Sequence, residues 1–356
     1  MVTGAEPGGS PTRSTATTLT DLDSFLRTLP KVELHVHLVG SASVPTVLRL
    51  AARHDATTAV PTDPSELADF YTFRDFAHFM NVYQLVNALV TTPEDVTDLV
   101  TGLAANLATA GVRYAEVTVT PLSHLSVGIA PTELADALTT GRELARSEHG
   151  VELGWIFDAA GELGVDGAWD TLAWVLRHRP DGTVGYGLAG RELGIGRAQF
   201  TGPFTVARWA GLRSLPHAGE TTGPATIWSA LYDLGAERIG HGISAITDPR
   251  LLDHLAEHQI PLEVCPTSNL RTGAVASWDA HPLARLAQWG VPVTINTDDP
   301  GMFSCDLVGE YRVAHDRFGL TPAELVLLAR AGIDAAFCSN EFKASMHAEL
   351  DALSPT

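Results

Sequence analysis

Eight short apolar runs set the strongest limit on how this chain folds. They cover residues 32–37, 113–119, 151–157, 183–188, 212–217, 236–241, 261–265 and 291–297, and they are rich in Val, Ile, Leu and aromatic residues. Helical patterns separate most of them, over 44–53, 93–110, 131–148, 165–177, 203–211, 224–234, 249–257 and 282–289. Several of these begin on proline, which the first helical turn tolerates because its N–H has no partner there anyway. Strand and helix alternating eight times predict parallel βαβ units closed on themselves, the α/β TIM (β/α)8 barrel. A length of 356 residues suits that architecture, which often exceeds about 250 residues as one unit.

Two segments exceed a plain barrel. Residues 61–90 are helical in pattern and carry Phe70, Tyr71, Phe73, Phe76, Phe79 and Tyr83. Coming after the first strand, they fit either a lid over the C-terminal face or an outer helical pair with its own small core. Residues 320–350 read as helix packed across the outside. Ahead of a short helix over 19–29, residues 1–18 are rich in Gly, Pro, Ser and Thr and read as a disordered tail. Residues 19–356 are then expected to form a single barrel domain.

The formal net charge of −19 argues against nucleic acid or a membrane surface as partner, since both favour basic patches. No apolar stretch is long enough to span a membrane. Three widely spaced cysteines, Cys265, Cys305 and Cys338, fit a reducing compartment better than a disulfide framework, so a cytoplasmic protein is expected. The oligomeric state stays open, with a homo-oligomer allowed.

The chemistry lies in four polar stretches at the ends of apolar runs: Glu33-Leu34-His35-Val36-His37, His217-Ala218-Gly219-Glu220, Gly240-His241-Gly242 and Thr297-Asp298-Asp299-Pro300. Side chains two apart on a strand share a face, so His35 and His37 converge. His217 and Asp298 end the fifth and eighth runs, at the same rim. Three imidazoles and a carboxylate make a zinc-type ligand set. Glu220 lies near that set without being needed in it. A carboxyl held there with a raised pKa can donate a proton at neutral pH, whereas alone it would read as a helix-capping glutamate. His241 sits between glycines that permit close approach, although a histidine bonded only to backbone reads the same way. Asp299 alone would be a turn aspartate before proline; Pro300 restricts its backbone.

Taken in order, HVHL, LAG, HAGE, RIGHG, EVCPTSN and INTDDP resemble the adenosine deaminase family of the amidohydrolase superfamily, across nearly the whole chain. The cytidine-type zinc deaminases carry a different signature, H-x-E with P-C-x-x-C, and no P-C-x-x-C occurs here. The resemblance implies one Zn2+ per chain on His35, His37, His217 and Asp298, generating hydroxide near neutrality. It implies attack on C6 of a 6-aminopurine, with Glu220 protonating N1 and His241 orienting the hydroxide. Asp299 would bond the N7 edge and the Gly190 N–H would meet N3. The substrate is then a small nucleoside.

Four departures from the family pattern concern what that nucleoside is. Ordinary members carry, after HxHL, an aspartate that bonds the ribose 5′-hydroxyl; here the residue is Val39. A polar sugar end facing valine would be under-satisfied by about 1–3 kcal/mol. Arg191 replaces an acidic residue after LAG, Thr118 stands where an arginine often occurs, and the stretch from Phe157 to Glu162 also differs. An HLVGSAS-type first motif resembles the actinobacterial branch that deaminates aminodeoxyfutalosine, a menaquinone precursor whose 5′ position carries a 3-carboxyphenyl ketone chain. On that resemblance Phe73 and its aromatic neighbours would hold the phenyl ring. Arg74 would meet the carboxylate through its guanidinium fork, with Arg191 and Arg271 as rivals. An ordinary adenosine or adenine deaminase is the alternative. A non-catalytic zinc- or nucleoside-binding barrel is a third, but it has no need of Glu220 and His241.

Overall fold

The structure, a computed structural model, describes residues 15–53 and 59–353. Eight parallel strands follow one another in chain order: β1 (Lys31–His37), β2 (Val112–Val119), β3 (Glu152–Ala160), β4 (Thr183–Ala189), β5 (Arg213–Ala218), β6 (Ile239–His241), β7 (Leu262–Val264) and β8 (Val293–Ile295). The ring closes where β8 meets β1. There His37 N donates to Asp298 O at 2.8 Å and Asp298 N to His35 O at 2.9 Å. All eight expected strands are present, and the TIM-barrel expectation holds.

β7 and β8 are shorter than the apolar runs that announce them. Pro261 and Pro292 stand just ahead of them and have no N–H for the ladder. Their carbonyls still accept, from Ile239 N at 3.0 Å and Leu262 N at 2.9 Å, so the sheet continues on one side only.

Helix α1 spans Thr15–Thr28, so its first turn lies in the stretch expected to be a disordered tail. The rest of that expected tail, residues 1–14, lies outside the described residues. Helix α2 (Val44–Arg53) follows β1, and the aromatic segment forms α3 (Pro64–Phe70) and α4 (Phe76–Asn87) before α5 (Pro93–Thr109). Asp63 and Asp75 cap α3 and α4 by accepting from backbone N–H groups. Phe79 packs against Phe303 and Phe73, with ring centroids 5.1 and 5.3 Å apart, which fastens α4 over the C-terminal ends of the strands. The segment therefore has a core of its own and also covers the barrel mouth.

The segment expected over 320–350 divides into Pro322–Ala335 and Asn340–Leu353. Between them Phe337 N donates to Glu116 Oε1 at 2.6 Å, drawing the chain under the barrel. Among the described residues no helix is long and apolar enough to cross a membrane.

Candidate active site

β1 is buried along its whole length, and its alternation sends His35 and His37 to one side. Asp298 follows β8 with φ +66°, a left-handed conformation that an aspartate rarely adopts. The two bonds across the β1–β8 seam hold it there. His37 Nε2 lies 3.2 Å from His217 Nε2 and 3.2 Å from Asp298 Oδ1; His35 Nε2 lies 3.4 Å from the same oxygen. One donor atom from each of the four fits within 4.8 Å of all the others. Donors about 2.0–2.2 Å from one centre lie no more than about 4.4 Å apart, which the 3.2 and 3.4 Å separations satisfy. His35 Nε2 is buried without a hydrogen-bond partner. The four residues therefore fit a metal ion.

A second grouping, His35, His241, Cys265 and Asp298, meets the same distance test. Its thiol lies 3.6 Å from Glu263 O and does not line the pocket, whereas His37 and His217 both do. The three-histidine set is the better site.

Three of the four candidate ligands, His35, Asp298 and His217, are held from behind. Glu263 Oε2 accepts from His35 Nδ1 at 2.8 Å, fixing the tautomer that leaves Nε2 facing the centre. Glu263 in turn pairs with Arg238 (2.6 Å), which also reaches Glu116 (2.5 Å); all three are buried. Ser268 Oγ donates to Asp298 Oδ2 at 2.6 Å. Glu192 accepts from Gly219 N and Thr221 N, and its partner Arg197 donates to His217 O, so together they clamp the stretch from His217 to Thr221. Sequence reasoning missed Glu116, Glu192, Glu263 and Arg238. The available signal was a charged residue inside, or just at the edge of, an otherwise apolar run.

Glu220 and His241 face each other beside the ligands, with Oε2 and Nε2 3.7 Å apart. Burial raises the Glu220 carboxyl well above the usual range, and the charges of Asp298 and Glu192 add to it. That direction favours the protonated acid, and its buried Oε1 has no partner. His241 has φ +59°, and Asn269 Nδ2 lies 3.1 Å from its Nδ1. Burial first, opposed by Asp298, leaves its imidazole at about 3, hence neutral. Gly240, just before it, has no room for a side chain: a Cβ would meet His35 Cε1 at 2.9 Å. Burial and the adjacent Asp298 also raise Asp299 well above the usual carboxylate range.

A pocket with about 650 Å3 of empty space opens from this centre, mouth included. His37, His217, Glu220, His241, Asp298, Asp299 and Gly190 line it, along with Phe76, Phe79, Met80 and Tyr83 of α4, and Thr120, Ser123, Asp158 and Glu162 from the β2 and β3 ends. Three expected contacts are not in its wall. Val39 is 3% exposed and packs in the core, because the strand alternation has ended where it stands. Phe73 sits behind Phe79, edge-on to it. Arg74 is exposed, since the α4 cap turns it outward. Of its rivals, Arg191 is exposed, while Arg271 donates to Tyr71 O at 2.8 Å with its guanidinium 5.9 Å from the Phe73 ring centre. Among the described residues, no arginine or lysine lines the pocket.

Residues 30–353 match the family model described as adenosine deaminase. The aminodeoxyfutalosine deaminase of Streptomyces coelicolor is 52% identical, over 93% of this chain and 86% of its own length. In structure, the adenine deaminase of Arthrobacter aurescens is similar with a TM-score of 0.87 at 30% identity, covering 91% of this chain and 98% of its own. An amidohydrolase of Burkholderia ambifaria with bound Zn has a TM-score of 0.85 at 27% identity, covering 93% of each chain.

Proposed function

The chain belongs to the adenosine deaminase family, as a hydrolase acting on C–N bonds, and from that premise we propose that its substrate is a 5′-extended 6-aminopurine nucleoside. The specific reading is 6-aminodeoxyfutalosine converted to futalosine, a step of menaquinone biosynthesis. Its main support is the 52% identity to a relative of that name, against 30% to the adenine deaminase. The pocket agrees with it in part: α4 offers Phe76, Phe79, Met80 and Tyr83 as an apolar wall for a 5′ substituent.

One zinc ion on His35, His37, His217 and Asp298 would supply the Lewis acidity that makes water a nucleophile near neutral pH. The chain's own groups do the remainder. Protonated Glu220 gives its proton to N1, which moves charge off the ring as C6 becomes tetrahedral. His241 Nε2 orients the attacking oxygen. Asp299, whose burial favours its protonated form, would donate to N7, an acceptor that a carboxylate would repel. The Gly190 N–H donates to N3. Burial of all these groups makes each hydrogen bond stronger than it would be in water. C6 then releases ammonia and keeps oxygen in its place.

Side-by-side kinetics on aminodeoxyfutalosine, adenosine and adenine test the reading. The 5′-extended nucleoside should exceed adenosine in kcat/KM by about 100-fold or more, roughly 3 kcal/mol of differential binding. Equal or better use of adenosine would return the chain to purine salvage. Glu220→Gln, with zinc retained by metal analysis, should lose nearly all turnover. Full activity in that variant would remove the proton donor from the mechanism.

A further inference from the structure

We infer that Asp158, with Thr120 beside it, is the ribose-recognising group of this pocket and takes over the task of the carboxylate missing at Val39. The inference rests on reading the site as a purine nucleoside deaminase.

The geometry begins with the purine ring. N1 and N3 lie on one flank, N7 lies on the other, and N9 points away from C6. Glu220 follows β5 and Gly190 ends the neighbouring β4, so the N1–N3 flank faces that pair of strands. Asp299 follows β8, which places the N7 flank on the opposite side. With C6 at the ligand set on β1, β5 and β8, N9 and its sugar point to the arc of β2 and β3, with the end of β1 beside it.

On that arc β1 offers no polar side chain beyond the ligands, because Val39 is packed into the core. The β2 and β3 ends do. Asp158 and Ala160 share a face of the strand and both line the pocket, while Phe157, just before them, packs outward on Trp174. Asp158 is 1% exposed, and Thr120 Oγ1 donates to its Oδ1 at 2.7 Å. A carboxyl withdrawn so far from water needs more than one partner. Gly187, its neighbour on β4, would bring a Cβ within 3.2 Å of the Asp158 Cβ and of Leu215 O, so that strand leaves the aspartate its space. A vicinal diol donates two O–H groups, which is what the free side of an aspartate accepts.

The test is a four-cornered cycle: wild type and Asp158→Ala, each with the nucleoside and with its 2′,3′-dideoxy form, on zinc-loaded protein. Wild type should lose about 100-fold in kcat/KM when the hydroxyls are removed, and Asp158→Ala should lose a similar factor on the full nucleoside. The two losses should overlap, leaving Asp158→Ala nearly indifferent to the hydroxyls. Additive losses, or Asp158→Ala within 3-fold of wild type, would overturn the assignment. Isosteric Asp158→Asn gives the same comparison should the alanine variant not fold. Calorimetric binding of the 6-oxo product should weaken in parallel, and unchanged affinity would count against the assignment. Failure of the underlying reading shows in wild type alone, as no turnover of any 6-aminopurine nucleoside.

Discussion

Asp299 is set by a residue with no side chain. A Cβ on Gly40 would lie inside the Asp299 carboxyl group, and Gly40 O also accepts from Gly301 N at 3.0 Å, so the turns after β1 and β8 are in contact. Gly40→Ala should therefore displace Asp299 and lower kcat/KM by about 100-fold with zinc content unchanged. Steady-state kinetics beside metal analysis checks this, and normal kinetics would show that Asp299 has room to spare. At this scale the sequence was readable wherever a periodic rule applied. His35 and His37 share a face because strands alternate, and the structure brings them together. Val39 lies beyond the last alternating position, where no periodicity says which way a side chain points. It departs from the family pattern, yet its side chain packs in the core and not in the pocket wall.

At the scale of elements, the eight runs were legible because each apolar stretch is bounded by Gly, Pro or polar residues. Their pairing was legible because parallel neighbours need a helix between them. The polar groups that tie strands together inside the barrel were not, since each is a single charge whose partner stands far away in sequence. Arg238 at the start of β6 joins Glu116 on β2 to Glu263 on β7, and Phe337 stacks 4.6 Å from its guanidinium. Arg238→Met leaves two buried carboxylates without a cation and should cost about 3–5 kcal/mol. Chemical denaturation of the metal-free protein measures it, and a cost below about 1 kcal/mol would mean that the network is dispensable. Adding Glu116→Gln should recover part of the loss.

Across the whole molecule, two buried histidines away from the ligand set couple stability to acidity. Burial lowers both His124 and His281 from 6.5 to about 4. Between those values the unfolded chain binds protons that the folded chain refuses, so stability is lost as pH falls through that window. His124 Nδ1 has no partner, so His124→Leu should leave the fold intact at pH 7.5. It should also reduce the drop in unfolding free energy between pH 7 and 5 by about 2 kcal/mol. Denaturation curves at the two pH values would show it, and parallel losses in variant and wild type would refute it. The seam between β8 and β1 has a consequence in time. His35 and His37 emerge in synthesis before His217, and His217 before Asp298, and the backbone bonds that aim Asp298 run to β1 itself. On the proposed metal site, a nascent chain would carry its candidate ligands but no site until β8 docks beside β1, and metal capture would coincide with completion of the ring.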